Sequence, residues 1–358
     1  MIKSLQSWRF IFALMIFLHH FPVDGVGLFR AGGTCGVSFF LILSGFVMSA
    51  GYAEKGGRKE FSYGNYFKKR LTRIYPLHFL CLLVAAAILV AAGTFGIKDG
   101  AIFCINAALM QSWIPLSGVY FSFNAVSWCL SALLFFYMVF PPISRFFNRA
   151  GNKKTAAMTG AALILYFIVL AAVPEKLSHP LLYISPVFRL LDFAIGMLLY
   201  NLYKSLLDSG SRIINSLRQL PVSVKSIAEL IPVAVLALCI LLFSAVPEKL
   251  TYASYWWVPS CLIILTYAVN SQIGGGIITR ILQNRALVYL GNISFSFYMV
   301  HQLGIRILGA VTERVDMEMP WPMLMALSLA VILVGSIAVN RLYEKPVAAY
   351  LNRKLIRQ

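Results

Sequence analysis

Acidic residues are scarce in this chain: 13 aspartates and glutamates stand against 31 lysines and arginines, a formal charge of +18 over 358 residues. Such an excess could serve nucleic acid, but the cations sit in short stretches between apolar runs. They form no continuous basic domain, so no nucleic-acid partner is expected. Charge of either sign is itself rare, at 12% of residues, while 59% are hydrophobic and the mean hydropathy is +0.78. A soluble domain carries about 25% charged residues, so the composition excludes that class and points to a multi-pass membrane protein. The six cysteines show no CxxC and no His/Cys ligand spacing, which excludes a disulfide framework and a zinc site; no metal is expected. Also missing are a Walker loop, a G-x-S-x-G elbow, an HExxH pair, an EF-hand and any repeat of 20–50 residues. No small-residue cleavage site follows the first apolar run, so that run is read as a retained anchor.

Long apolar runs are what the chain does have. They begin near Trp8, Gly33, Ile74, Phe123, Ala156, Val187, Ile231, Ser254, Leu287 and Trp321. The expected fold is therefore an all-α integral membrane bundle of about ten transmembrane helices, some short or tilted. With the N-terminus in the cytosol, 24 of the 31 cations fall on the inner side, 5 fall outside and two, Arg189 and Arg306, lie within spans. That asymmetry predicts both termini in the cytoplasm.

Ionisable residues inside such runs are costly and usually face a cavity or pathway. Arg9 and His20 in the first run are eleven residues apart. On a helix they return to within roughly 20° of one face, separated by a rise of roughly 16 Å. An arginine and a histidine snorkelling to opposite interfaces would give the same pattern. In the second run the small residues around Ser44 permit close helix approach, or a polar lining. Lys68 to Arg73 holds four cations in six residues. Such a cluster binds lipid headgroups; alternatively Arg70 and Arg73, at i,i+3, form an anion cradle. Pro76 is expected in the first turn of the next helix. Tyr137 offers a polar handle in an aromatic run, and Arg189 and Asp192 can pair at i,i+3. The ninth run carries Asn292, Ser294, Ser296, Tyr298, His301 and Arg306 on one helix, which suits the wall of a wet cavity.

These pieces together resemble the membrane-bound acyltransferase family 3, which O-acylates extracytoplasmic glycans and related acceptors. The resemblance runs over nearly the whole chain. It rests on Arg9-x10-His20, GVSFFLILSGF, RLTRIYP, SWCLSALLFFYMVFP, RLLDFAIGM, LGNISFSFYMVHQ and the terminal YEKP. One departure stands out: Leu133 occupies a place where members often carry glutamate. The resemblance implies a single transmembrane domain over residues 1–358 with no appended soluble domain, set in the inner (plasma) membrane. It implies acyl transfer from cytosolic acyl-CoA, most commonly acetyl-CoA, to a hydroxyl of a glycan or glycolipid acceptor. His20 would be the general base, and Arg9, Arg70 and Arg73 would hold the donor's phosphates. Ser44, Tyr137, Arg189, Asp192 and His301 are further candidates for cavity or acceptor contacts. A secondary transporter or flippase for a glycan or anionic substrate is the competing reading, since buried ionisable residues in ten spans suit it too. Neither the acceptor's identity nor the oligomeric state is legible.

Overall fold

A computed structural model describes residues 2–21, 27–53, 62–208, 212–316 and 319–356. Lys55, Arg58, Lys59 and Arg357, counted among the inner cations, lie outside the described residues. Among those described there are helices and turns and no strand. The long helices are α1 (Lys3–His20), α2 (Gly27–Ala53), α3 (Tyr63–Ala91), α4 (Trp128–Ala172) and α5 (Pro186–Asp208). They continue with α6 (Val222–Leu242), α7 (Trp257–Ile273), α8 (Arg285–Arg314), α9 (Trp321–Val339) and a short α10 (Lys345–Leu355).

All ten apolar runs fall on helices, because α4 holds two of them. The loop expected between those two is a single break at Gly151, whose φ of 74° is open to glycine at little cost. Seven helical stretches among the described residues are long and apolar enough to cross a membrane; α1, α7 and α8 are shorter or more polar. Many large apolar side chains point outward, among them Ile164, Leu165, Ile231, Leu241 and Val334. Lipid is the solvent such a surface suits.

The polybasic stretch is part of a helix, not a loop before one. α3 starts at Tyr63, capped by the Ser62 hydroxyl, which accepts from the Asn65 amide at 3.3 Å. Pro76 therefore sits in mid-helix, a correction to its expected first-turn place. It cannot donate to the preceding turn. Its own carbonyl is taken by the Tyr343 hydroxyl at 3.3 Å.

α2 is the most enclosed of the seven stretches and packs against α1 on one side and α5 on another. Small residues set how closely it can approach. Gly45 lies against the Phe193 carbonyl and Gly196 against the Ile42 carbonyl, so each helix presses a glycine onto the other's backbone. The same device joins α8 to α1, where Gly291 meets the Gln6 carbonyl. Phe12 stacks on Phe39 with centroids 3.8 Å apart. Lack of a Cβ is what allows these contacts, as small-residue packing in membranes generally requires.

Two buried carboxylates tie the frame. Asp192 pairs with Arg189 at 3.4 Å, both fully buried, and accepts from the Trp257 indole at 3.0 Å. Arg189 also donates to the Tyr252 carbonyl at 2.5 Å and to the Ser38 hydroxyl at 3.0 Å. Glu229 accepts from Asn270 at 3.0 Å and from the Gly276 amide at 2.7 Å, holding α6 to the turn after α7.

Candidate active site

α1 carries Arg9 near one end and His20 at the other, and each opens onto a different cavity. At the Arg9 end a cavity of about 440 Å³ is lined by Arg9, Arg70, Arg73, Ser44 and Tyr137 together with apolar residues of α2 and α5. No aspartate or glutamate is in its wall. Arg9 donates to the Gln6 side-chain oxygen at 3.1 Å. The Arg70 guanidinium lies 5.7 Å from the Tyr66 ring and 6.0 Å from the Tyr137 ring, and its Nε is buried without a hydrogen-bond partner among the described residues. Three guanidinium groups converge there, and among the described residues none makes a salt bridge. Such a concentration of planar cations suits a multiply charged anion, phosphate above all. Lys68 and Lys69 face outward and are exposed. Arg73 is exposed as well, yet it joins the half-buried Arg70 in the cavity wall.

At the His20 end lies a second cavity of about 430 Å³. Its wall is rich in rings, including Phe121, Trp128, His179, Tyr183, Tyr252 and Tyr298, with Arg30 and Glu248 as the charged groups. His179 belongs to the turn after α4; burial lowers its tendency to carry a proton, against the opposing pull of Glu248. The Tyr252 hydroxyl donates to Glu248 at 3.0 Å, and burial beside that carboxylate pushes its pKa up to about 12. Rings with a few hydrogen-bonding tips form a surface for a largely uncharged ligand.

Between them is a waist of about 90 Å³. It shares Arg9, Ser44, Arg73 and Tyr137 with the basic cavity, and Val37 and Tyr298 with the aromatic one. The rest of its wall is mostly apolar, with Ile74, Leu130, Leu133 and Phe295. The two cavities and the waist thus lie in succession along α1, a candidate path.

His20 sits where that path enters the aromatic cavity. Its Nδ1 faces the Ile16 carbonyl at 2.9 Å, so Nδ1 must carry the proton. The same nitrogen is 3.2 Å from His301 Nε2. His301 in turn donates from Nδ1 to the Tyr298 carbonyl at 2.7 Å, which leaves its Nε2 as an acceptor toward His20. The neutral His20 ring is thereby fixed with its lone pair on Nε2, as a general base requires. His301 is fully buried and stands behind His20, outside the cavity wall. His19 also lines the aromatic cavity, its ring 5.0 Å from that of His20 and against Gly33.

The residues singled out in the sequence divide accordingly. Arg9, Arg70, Arg73, Ser44 and Tyr137 meet at the basic cavity, and His20 lines the aromatic one with His301 behind it. Arg189 and Asp192 line none of the three cavities and serve the frame instead. Trp128, a polar handle beside Tyr137 in the sequence, joins the aromatic wall, whereas Tyr183, Tyr252 and His179 went unselected because they reach the cavity from loops and helix ends, where no periodicity marks them.

The chain has recognisable relatives. A family model described as an acyltransferase domain matches residues 2–341. The acyltransferase MdmB of Streptomyces mycarofaciens is 28% identical over 331 residues, covering 85% of this chain and 79% of its own length. A protein of Acidianus two-tailed virus that carries the name of an acetyltransferase, ORF330, is 30% identical over 184 residues, half of each chain. No solved structure matches.

Proposed function

The chain belongs to this acyltransferase family, and from that premise we propose that it is a membrane O-acyltransferase. In this reading it moves an acyl group, most simply acetyl, from cytosolic acyl-CoA to a hydroxyl of a glycan or glycolipid outside the cell. The supporting observation is the path along α1: an arginine-lined cavity at one end, a base in an aromatic cavity at the other, and a narrow waist between. About ten spans with both termini in the cytosol would put the basic cavity on the inner side of the cell's plasma membrane.

The donor's phosphates rest on Arg9, Arg70 and Arg73. Its arm runs through the waist, a rise of roughly 16 Å along α1, and delivers the thioester beside His20. The acceptor lies against the rings of the aromatic cavity. Its hydroxyl oxygen attacks the thioester carbonyl while His20 Nε2 takes the hydroxyl proton. The C–S bond breaks, the ester C–O bond remains, and the proton passes from His20 to the departing thiolate. During the proton's stay, His20 Nδ1–H keeps its contacts with the Ile16 carbonyl and His301 Nε2, which hold the ring in place. No nucleophilic serine or cysteine stands beside the base in this scheme, so transfer is direct.

The test is mass spectrometry of surface glycans from cells carrying the parent chain or His20→Ala at equal protein level. The expected result is a species heavier by one acyl ester in the parent alone. Identical glycans in both would overturn the proposal.

A further inference from the structure

Ser294 on α8 poses a problem that the scheme above leaves unsolved. Ser294 is fully buried in the wall of the waist, and its hydroxyl has no hydrogen-bond partner among the described residues. Serines in apolar helices ordinarily satisfy themselves on the carbonyl one turn back. A buried polar group without a partner is expensive and calls for an explanation.

The position of Ser294 narrows the answer. Gly291 touches Gln6 and His301 touches His20, so α8 runs parallel to α1 along the path. Ser294 precedes His301 by seven residues, which is nearly two turns on one face and roughly 10 Å of rise. It therefore faces the stretch between the phosphates' cavity and the base. At about 90 Å³ the waist is too small for a sugar ring with its hydroxyls and fits a section of slender chain. Its wall sets an apolar stretch of Val37, Phe40, Ile74, Leu130, Leu133 and Phe295 beside Arg9 and Arg73. What suits such a site is an uncharged chain with an occasional carbonyl or N–H.

From this we infer that the waist is a binding site for the amide-bearing arm of the thioester donor, with the Ser294 hydroxyl as its fixed hydrogen-bond partner to an arm amide. The inference rests on the acyl-CoA reading of the basic cavity and adds a contact between the phosphates and the base. Because the hydroxyl has no partner among the described residues, Ser294→Ala removes no hydrogen bond seen in the fold.

Binding to the purified full chain in detergent tests this with two probes: CoA, which has the arm, and adenosine 3′,5′-bisphosphate, which lacks it. A neutral hydrogen bond predicts that Ser294→Ala weakens CoA binding by roughly five- to tenfold. The bisphosphate should bind parent and variant alike, which also shows the variant to be folded. Unchanged CoA affinity, or equal weakening of both probes, would overturn the waist assignment while leaving the donor reading intact. Failure of the parent chain to bind either probe would overturn the donor reading and this inference with it.

Discussion

His20 has two ring nitrogens with different neighbours, and its role follows from that difference. With Nδ1 given to the Ile16 carbonyl and to His301, only Nε2 is left to take a proton from an acceptor. His20→Ala should lower acyl transfer by 10²-fold or more, in keeping with the loss of a general base, while CoA binding at the other end stays as in the parent. His19→Ala should keep substantial activity, although His19 shares the cavity wall. Product formed per expressed protein in the same membranes decides between them. Equal loss in both variants would mean a disrupted helix end instead. Transfer should also fall as the pH drops through the pKa of the base, since protonation removes the lone pair. A rate that rises toward acid would contradict the role. Arg9 and His20 were legible from the sequence because eleven residues on a helix restore one face. The pairing of His20 with His301 was not, since 281 residues separate the two rings and only the packing of α8 on α1 brings them together.

At the scale of the element, α3 shows how one helix can satisfy two readings of the same motif. Lys68 and Lys69 remain on the outer face, where lipid headgroups would find them, while Arg70 and Arg73 turn into the cavity. Arg70→Ala and Arg73→Ala should each weaken CoA binding, and added salt should weaken the parent's binding too, because contacts in a solvated mouth are screened. Unaltered affinity in both variants would return the arginines to a lipid-anchoring role. The contact of α1 with α8 has its own test. A Cβ on Gly291 would overlap the Gln6 carbonyl, whereas one on Gly309 of the same helix meets nothing within 4 Å. Gly291→Ala should destabilise the bundle by about 1–3 kcal/mol, the usual cost of overpacking, and Gly309→Ala should not. Thermal unfolding of the two variants in one detergent measures the difference, and equal midpoints would refute the packing argument. The sequence showed these glycines as small residues in apolar runs, yet which of them touch another backbone depends on helix crossings that a linear pattern does not carry.

For the molecule as a whole, hydropathy marked the apolar runs and the structure places every one on a helix. Boundaries were less legible: α3 starts a loop's length earlier than expected, α6 begins at Val222, and α4 crosses from one run to the next with a break only at Gly151. Those stretches are polar enough to read as loops, but nothing in them prevents continued helical hydrogen bonding. The cavities were legible only by their charged ends. Their aromatic walls come from segments far apart in the chain, and Leu133, conspicuous for the acid it replaces, proves to be part of the waist.

In the proposed function the donor enters from the cytosolic side and its acyl group leaves on an acceptor at the other. Sealed membrane vesicles from cells expressing the chain can receive radiolabelled acetyl-CoA on the cytosolic face alone or on the external face alone. The account predicts alkali-labile label on the membrane's own glycans or glycolipids only when the donor meets the cytosolic face, and none with His20→Ala. Equal incorporation from the external face, or none from either, would contradict it.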